Sequence, residues 1–368
     1  MINSALLSSE ASTGSLVKTR VISRQDIKVG DLVREGSFTH VLDITPSHDP
    51  AEIRMNNQSS FTYVIKQLRP EVMDLLNTSI EKYQKVSTAI IMEALFLSRL
   101  AHPNIVRIHG VSLAIHNCLF QLTEEEPARD DDYFLVMPRI TETLDQRLNF
   151  WKEQNTDKDA IFPLQCRVGL QLARVLSYLQ EKRIIYRDLK TSNVWLEGNS
   201  LVKLFDFENC RELPPSQPFD PTMSEKDMKV LHYYHDKASA MTIPHYDQVF
   251  EMSAVGSPAF MAPELLVTPC LYNGKCDVYS WSILMAHLLT LEEPFVGSNQ
   301  AEHLRRVVAL HERPVLSDLK LPHTLEHLIR RAWAADISVR PNIHEVRDNM
   351  ELIVVVQDSH VCGQASYA

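Results

Sequence analysis

The chain has 368 residues, of which 45% are hydrophobic and 23% charged, values that exclude disordered and fibrous proteins and indicate a globular one. Its length exceeds the size at which one hydrophobic core stops growing, so we expect two lobes. The formal net charge of -10 argues against nucleic acid as a partner, because phosphate backbones are bound by clustered Lys and Arg.

The N-terminal segment, residues 1–25, is rich in Ser and Thr without periodicity, which predicts a flexible lead-in. No charged residue precedes its short apolar patch, so we expect no secretory signal. The six cysteines lack paired C-x-x-C spacing, which is typical of reduced thiols in a cytoplasmic protein.

Short β-type runs separated by turn residues predict an antiparallel meander from Lys28 to Lys66. The region from Glu71 to Leu100 repeats Ile90, Ala94 and Leu97 at helical spacing, which predicts an amphipathic helix that covers this sheet. Two further strands are predicted in the runs IVRIHGVSL and YFLVMP, joined by an acidic segment that we interpret as a solvated loop.

Beyond Pro138 the pattern becomes helical, for example at Leu164, Val168 and Leu172. The longest apolar stretch, residues 278–291, falls short of the ~20 residues needed to span a bilayer and is interpreted as a buried helix. The Pro-rich region between residues 210 and 255 is too long for an ordinary connection, so it is either functional or disordered.

The strongest chemical signal is YRDLKTSN at residues 186–193, followed after a short hairpin by Asp206-Phe207-Glu208. Any one three-residue match occurs by chance, but the ordered set does not. With HPNIV at 102–106 and GSPAFMAPE at 256–264, these motifs resemble the protein kinase family over residues 26–356.

The resemblance implies an α+β fold with two lobes, the bilobal protein-kinase-like fold. A small β-rich N-lobe of residues 26–137 would carry one regulatory helix. A larger, mainly helical C-lobe would follow over residues 138–356, and then a C-terminal tail of residues 357–368.

The resemblance also implies ATP as substrate and Mg²⁺ as cofactor. Phosphoryl transfer depends mostly on positioning and on neutralising charge, and Mg²⁺ prefers oxygen ligands, which Asn193 and Asp206 supply. Asp188 would orient the substrate hydroxyl and accept its proton, while Lys190 would steady the transferred phosphate. The alternative is that Asp188 and Asn193 simply cap turns.

In the N-lobe, Lys66 matches the family's phosphate-anchoring lysine, and Glu93 matches the glutamate that pairs with it. Lys66, Asp188, Asn193 and Asp206 are expected to serve one metal-bound nucleotide. The resemblance assigns the remaining nucleotide contacts to Val33, Gly36, Val41, Val64, Met137 and Trp195, with Lys66 and Asp206.

Three further charged residues match structural supports of the family. Glu264 is expected to form a buried ion pair with Arg340, and Asp277 to accept backbone hydrogen bonds from the 186–193 segment. Tyr186 and Phe207, with Leu97 and Ile108, fall where the family stacks side chains that link the lobes, although plain core packing is equally compatible.

The sequence departs from the family pattern at the nucleotide site. The loop over the phosphates keeps only Gly36 of three glycines, and Glu208 replaces the glycine that follows Asp-Phe. Val64 and Trp195 are larger than the residues they replace around adenine, which is expected to narrow that space.

The preferred interpretation is a serine/threonine protein kinase, similar to the tyrosine-kinase-like branch, acting on protein substrates in signal transduction. The alternative is a pseudokinase that signals without catalysis. A small-molecule kinase is less compatible with the GSPAFMAPE loop.

Regulation is expected in the activation segment, residues 206–264, through an upstream kinase. Arg187, with Arg211, would bind a phosphate there, and the candidate acceptors are Ser253, Thr222 and Ser224. Ser257 is expected to have a structural role facing residues 186–193, which are called the catalytic loop.

Overall fold

The computed structural model describes residues 19–36, 38–47, 62–72, 79–120, 133–198, 200–213, 249–297, 300–317 and 319–365. The chain divides into two compact units, Met1–Arg139 and Ile140–Ala368. The division lies two residues from the expected lobe boundary at 137/138. Candidate phosphate acceptors Thr222 and Ser224 and the acidic segment at 124–132 lie outside the described residues.

The first unit is built on a six-stranded sheet with the strand order β1-β5-β6-β4-β3-β2. All neighbouring strands are antiparallel except β1 and β5, which are parallel. The predicted meander is confirmed as β2, β3 and β4. The strands are β1 (Arg20–Val21), β2 (Ile27–Glu35), β3 (Thr39–Pro46), β4 (Tyr63–Leu68), β5 (Gly110–Val111) and β6 (Phe134–Pro138).

The two faces of this sheet differ because side chains alternate along a strand. Ile44, Ile65 and Val136 belong to a buried apolar cluster on one face. Cross-strand pairs place the predicted nucleotide contacts on the other face, since Val41 pairs with Lys66 and Val64 pairs with Met137. The register therefore groups four of the predicted contacts, which are Val41, Val64, Lys66 and Met137.

The predicted amphipathic helix is confirmed as α1 (Ile80–Arg99), within the expected Glu71–Leu100. Residues 71–72 are also helical, and residues 73–78 lie outside the described residues. Ile90, Ala94 and Leu97 are buried at i, i+4 and i+7, as the helical spacing requires. This helix carries Glu93 beneath the sheet residue Lys66.

The run IVRIHGVSL was expected to be one strand, which is wrong. Only β5 is strand, and a helix, α2 (Leu113–Phe120), follows it. The Ser112 hydroxyl accepts hydrogen bonds from the backbone N–H groups of Ile115 and Phe134, so it caps the first turn of α2 and joins it to β6.

The expected flexible segment of residues 1–25 also needs correction, because β1 and a 3-10 turn at Arg24–Asp26 lie within it. The Ile22 N–H donates to the Val111 carbonyl at 2.9 Å. A side chain at Gly110 would displace β1, since a Cβ there would lie 2.7 Å from the backbone oxygen of Arg20. Gly110 thus allows β1 to join the sheet.

The second unit is mainly helical, as expected. The expected tail of residues 357–368 is helical as far as Ala365. The helices are α3 (Leu144–Glu153), α4 (Lys158–Glu181), α5 (Lys275–Thr290), α6 (Gln300–Leu304), α7 (His323–Ala332) and α8 (Ile343–Ala365). The short strands are β7 (Ile184–Ile185), β8 (Val194–Glu197), β9 (Leu201–Leu204), β10 (Arg211–Glu212), β11 (Phe250–Glu251) and β12 (Leu271–Tyr272).

Helix α5 is the buried helix predicted from the longest apolar stretch. Its polar side chains find partners inside the unit, because the hydroxyls of Ser280 and Ser282 donate to carbonyls of Cys276 and Tyr279. Among the described residues, no helix combines the length and apolar character required to cross a bilayer.

Candidate active site

The first unit contains a buried ion pair. Lys66 Nζ on β4 lies 2.7 Å from Glu93 Oε2 on α1, and the Glu93 side chain is only 1% exposed. Burying either charge alone would be costly, so each holds the other in place. The ion pair expected from the sequence is confirmed.

The hairpin between β2 and β3 is held by a residue that the sequence analysis missed. The Arg69 guanidinium donates to the Gly36 carbonyl and pairs with Glu35 at 2.7 Å, while the Arg69 N–H donates to the Phe38 carbonyl. Arg69, which directly follows β4, thus holds Gly36, the one glycine that this loop keeps. Val33, the other expected contact on this hairpin, is 38% exposed.

In the second unit, the segment at residues 186–193 follows β7 and is anchored by Asp277. The carboxylate oxygens of Asp277 accept the backbone N–H groups of Tyr186 and Arg187, each at 2.8 Å, as expected. Burial raises the pKa of Asp277 to about 6, and the two N–H donors act in the opposite direction. Arg187 has a left-handed φ of 68°, so this anchor holds a strained backbone.

The carboxylate of Asp188 is buried and fully surrounded by donors. Its Oδ1 accepts the N–H of Ser257 at 2.9 Å and the hydroxyl of Ser257 at 2.8 Å. Its Oδ2 accepts Lys190 Nζ at 3.0 Å and the amides of Asn193 and Asn209 at 3.2 and 3.5 Å. Lys190 also donates to the Ser257 hydroxyl at 2.8 Å. Ser257 therefore faces the catalytic loop, as expected, and Asn209 is a contact that the sequence analysis missed.

Asn193 and Asp206 lie at one end of the β8–β9 hairpin. Asn193 precedes β8 and Asp206 follows β9, and the adjoining residues Val194 and Leu204 are paired. The Asn193 amide donates to the Asp188 carbonyl at 3.0 Å, so the opposite oxygen, Oδ1, faces away from this bond.

The buried Oδ1 of Asn193 has no hydrogen-bond partner among the described residues. An unsatisfied buried acceptor is costly, and an amide oxygen and a carboxylate are both ligands that suit Mg²⁺. Asn193 and Asp206 thus fit the expected metal ion. Bound there, Mg²⁺ would neutralise charge on the phosphates.

Two large side chains occupy the positions assigned to adenine. Val64 and Trp195 are each 2% exposed, and the buried indole N–H of Trp195 has no acceptor within the described parts of the chain. Val64 belongs to the first unit and Trp195 to the second, so the expected narrowing of the adenine space stays a prediction.

Glu208 does not strain the turn that follows Asp206. Its side chain is exposed, and it is not among the residues with positive φ, whereas Asp206 has a φ of 65°. The backbone at Glu208 is therefore one that any residue can adopt. The rings of Tyr186 and Phe207 pack edge to face with centroids 5.3 Å apart.

A small pocket with no room for a water molecule lies beside Asp188. Apolar side chains of the 256–265 segment form part of its lining, together with the catalytic loop. Its apolar lining includes Leu189, Phe260, Met261 and Leu265.

The predicted support between Glu264 and Arg340 is confirmed. Arg340 donates to both carboxylate oxygens of Glu264, at 2.7 and 2.6 Å, and its side chain is 0% exposed. Bidentate pairing fixes both groups, so the end of the 256–264 segment is anchored to the loop that precedes α8.

The structure thus assembles the predicted site residues in two sets, one in each unit. The first set is Val33, Gly36, Val41, Val64, Lys66, Glu93 and Met137, and the second is Asp188, Lys190, Asn193, Trp195 and Asp206.

Comparison with known proteins agrees with this geometry. The chain is 27% identical over 282 residues to a probable serine/threonine-protein kinase of Dictyostelium discoideum, covering 77% of this chain and 24% of that protein. It is 30% identical over 193 residues to the dual specificity protein kinase shkB of the same organism, covering 52% of this chain and 25% of that protein. It is 28% identical over 263 residues to human mitogen-activated protein kinase kinase kinase 7, covering 70% and 34%.

The matched region spans about a quarter of the length of the first two relatives. The profile of the protein kinase domain matches residues 53–350, which is well over half of the chain. All residues of the two sets lie within this range except Val33, Gly36 and Val41, which belong to the β2–β3 hairpin. The chain belongs to the protein kinase family.

Proposed function

We propose that this chain is a serine/threonine protein kinase that transfers the γ-phosphate of ATP to hydroxyl groups of protein substrates, in the cytoplasm and with Mg²⁺. The observation that carries the proposal is the Asp188 carboxylate, which lies within hydrogen-bond distance of Lys190, Asn193 and a serine hydroxyl. A base, a cation and a metal ligand meet at one point, which is the set that phosphoryl transfer requires.

The contacts of Ser257 support the roles of Asp188 and Lys190. Its hydroxyl donates to Asp188 and accepts from Lys190, each at 2.8 Å. A hydroxyl bound in this way has its proton directed to a base and a cation beside its oxygen. Asp188 would orient and deprotonate an acceptor hydroxyl in the same manner, and Lys190 would neutralise charge on the group being transferred.

Lys66 is proposed to hold the phosphates of ATP. Its ammonium is fixed by Glu93 at 2.7 Å in a site where only 9% of the lysine side chain is exposed. A lysine held in this way donates to phosphate oxygens without first losing its own conformational freedom. Gly36, clamped by Arg69, is proposed to cover the phosphates with its backbone.

A protein acceptor is favoured by the pocket beside Asp188. Leu189, Phe260, Met261 and Leu265 contribute to an apolar lining next to the proposed base. The partly exposed side chains of Phe260 and Met261 would contact an apolar side chain near the acceptor residue of a peptide. The five described cysteines are free thiols, which supports the proposed cytoplasmic location.

The test is to purify the chain and measure two properties of it. Mg-ATP is expected to raise the melting temperature, and labelled phosphate is expected to appear on Ser and Thr of a generic protein substrate. If Mg-ATP causes no thermal shift and no phosphate is transferred, the result would favour the pseudokinase. Because two relatives carry names that include dual specificity, phosphotyrosine on the products would correct the proposed Ser/Thr preference.

Gly256 provides a prediction within the site. Its φ is 119°, and a Cβ there would lie 2.5 Å from the Arg187 carbonyl oxygen, so Gly256→Ala must displace Ser257 from Asp188. We expect kcat to fall about 100-fold, the usual cost of misplacing a catalytic group by about 1 Å. The measurement is steady-state transfer to a peptide.

Gly198→Ala is the matched control for Gly256→Ala. Gly198 also has a positive φ, of 64°, but a Cβ there would have no neighbour within 4 Å. Its alanine variant adds backbone strain without a clash. Equal losses of activity in the two variants would contradict the role given to the Ser257–Asp188 contact.

A further inference from the structure

The guanidinium of Arg187, the residue before the proposed base, is already occupied within the described chain. Its Nε donates to the Asn209 carbonyl at 2.6 Å, and its Nη1 donates to the Tyr272 hydroxyl at 3.1 Å. Both acceptors are neutral. From the sequence, this side chain is expected to bind a phosphate on the activation segment.

Tyr272 extends this contact to the other end of the activation segment. Its hydroxyl donates to the Ser253 carbonyl at 2.7 Å while accepting from Arg187. The side chain is 0% exposed, and its backbone is fixed by strand pairing with Phe250. Burial raises the pKa of the Tyr272 phenol, so the hydroxyl keeps the proton that it donates.

The positive charge of Arg187 has a counter-charge close by. Asp277 is 5% exposed and accepts the Arg187 backbone N–H at 2.8 Å, and the charge of Arg187 lowers the pKa of Asp277 against the larger effect of burial. The half-buried Arg187 is thereby compensated by a carboxylate of the same unit. Its charge does not require an added phosphate.

We propose that Tyr272 is a positioning residue that takes the place of a phosphate. With the Asn209 carbonyl it occupies Arg187, and so it ties the start of the activation segment, its end at Ser253 and the catalytic loop together in unphosphorylated protein. The ordering of these segments follows from the contacts alone. The consequence for catalysis rests on the proposed kinase function.

The alternative is activation by an upstream kinase acting on residues 206–264. In that case a phosphate would compete for Arg187 and displace the Tyr272 hydroxyl. The two mechanisms predict opposite behaviour of protein from which all phosphate has been removed.

The first experiment measures hydrogen–deuterium exchange on full-length protein that mass spectrometry shows to carry no phosphate. Tyr272→Phe is expected to speed exchange about tenfold at residues 250–256 and 184–190, because it removes both hydrogen bonds of the hydroxyl. If these segments exchange equally fast in Tyr272→Phe and in the control variant Tyr279→Phe, the proposal would be overturned.

Tyr279→Phe is the matched control. Tyr279 is also 0% exposed and lies in the same unit, but its hydroxyl has no hydrogen-bond partner among the described residues. The same atom is deleted in both variants, and only Tyr272→Phe loses hydrogen bonds. Tyr279→Phe is therefore expected to leave exchange in both segments unchanged.

The second experiment measures phosphate transfer. Phosphate-free wild type is expected to match phosphorylated protein within about twofold, and Tyr272→Phe to lower kcat about tenfold at unchanged KM for ATP. Ser253→Ala, which keeps the carbonyl that Tyr272 binds, is expected to retain activity.

The outcomes separate the two proposals. Wild type that is inactive without phosphate and recovers on phosphorylation would overturn the Tyr272 proposal. Wild type that transfers no phosphate in either state would refute the proposed kinase function, and the exchange experiment would then decide the role of Tyr272 by itself.

Discussion

Asp188→Asn is expected to lower kcat for phosphate transfer about 1,000-fold, the middle of the range for removal of a general base. The amide has nearly the same shape as the carboxylate but no negative charge and no basic oxygen. It would also direct an N–H₂ group towards Lys190 or Ser257, which now donate to the two carboxylate oxygens. Steady-state kinetics with a peptide substrate would measure the loss.

Binding of Mg-ATP is expected to survive this substitution. Asn193 and Asp206 are the proposed metal ligands, and Lys66 is the proposed phosphate anchor, so none of these groups is removed. The melting temperature should still rise with Mg-ATP in the Asp188→Asn protein. A loss of both transfer and thermal shift would instead indicate a misfolded loop.

Asp159→Asn serves as the control for charge. Asp159 is exposed in the first turn of α4, and the same substitution there removes one carboxylate from the same unit. Its activity should equal that of wild type. An Asp188→Asn protein that retained more than about a tenth of wild-type activity would show that transfer does not depend on this carboxylate.

The contacts that the sequence predicted correctly are those of buried charges. Taken alone, Lys66 would more often be a solvated charge at a strand end, and Glu93 an ordinary helix-surface residue. The resemblance to the family, carried by the order of the motifs, implied that Glu93 pairs with Lys66 and Glu264 with Arg340. Both ion pairs are present and buried, so the motif order carried the information that residue type alone did not.

The contacts that the sequence could not predict are made by backbone groups or depend on the pairing of strands that lie far apart in the sequence. The Tyr272 hydroxyl binds the carbonyl of Ser253, and a carbonyl leaves no signature in the residue type. The parallel pairing of β1 with β5 depends on the absence of a side chain at Gly110, which a local pattern reads only as a turn.

One error has a local physical origin. The run IVRIHGVSL is rich in β-branched residues, yet Ser112 ends the strand by capping α2. The capping contact of this one residue outweighed the average tendency of its neighbours to form a strand.

Arg340→Met is expected to lower the free energy of unfolding by about 3–5 kcal/mol, the usual cost of removing one partner from a buried ion pair. Glu264, whose side chain is 11% exposed, would keep its charge without a counter-charge. The Ala334 and Lys275 carbonyls would also lose the donor that Arg340 supplies. Urea denaturation followed by fluorescence would measure the change.

Arg330→Met is the matched control for Arg340→Met. Arg330 pairs with Glu326 at 2.8 Å on α7, but its side chain is 50% exposed. The same substitution at this surface pair is expected to cost no more than about 0.5 kcal/mol. Similar losses in the two variants would mean that burial does not govern the energy of these pairs.

The double variant Arg340→Met with Glu264→Leu separates charge from packing. If the main cost of Arg340→Met is the isolated carboxylate, removing that carboxylate should restore part of the lost stability. If the cost instead arises from packing against Tyr279, whose ring centroid lies 5.2 Å from the Arg340 guanidinium carbon, the second substitution should restore nothing. The sign of the coupling energy therefore distinguishes a pair held by electrostatics from one held by the ring.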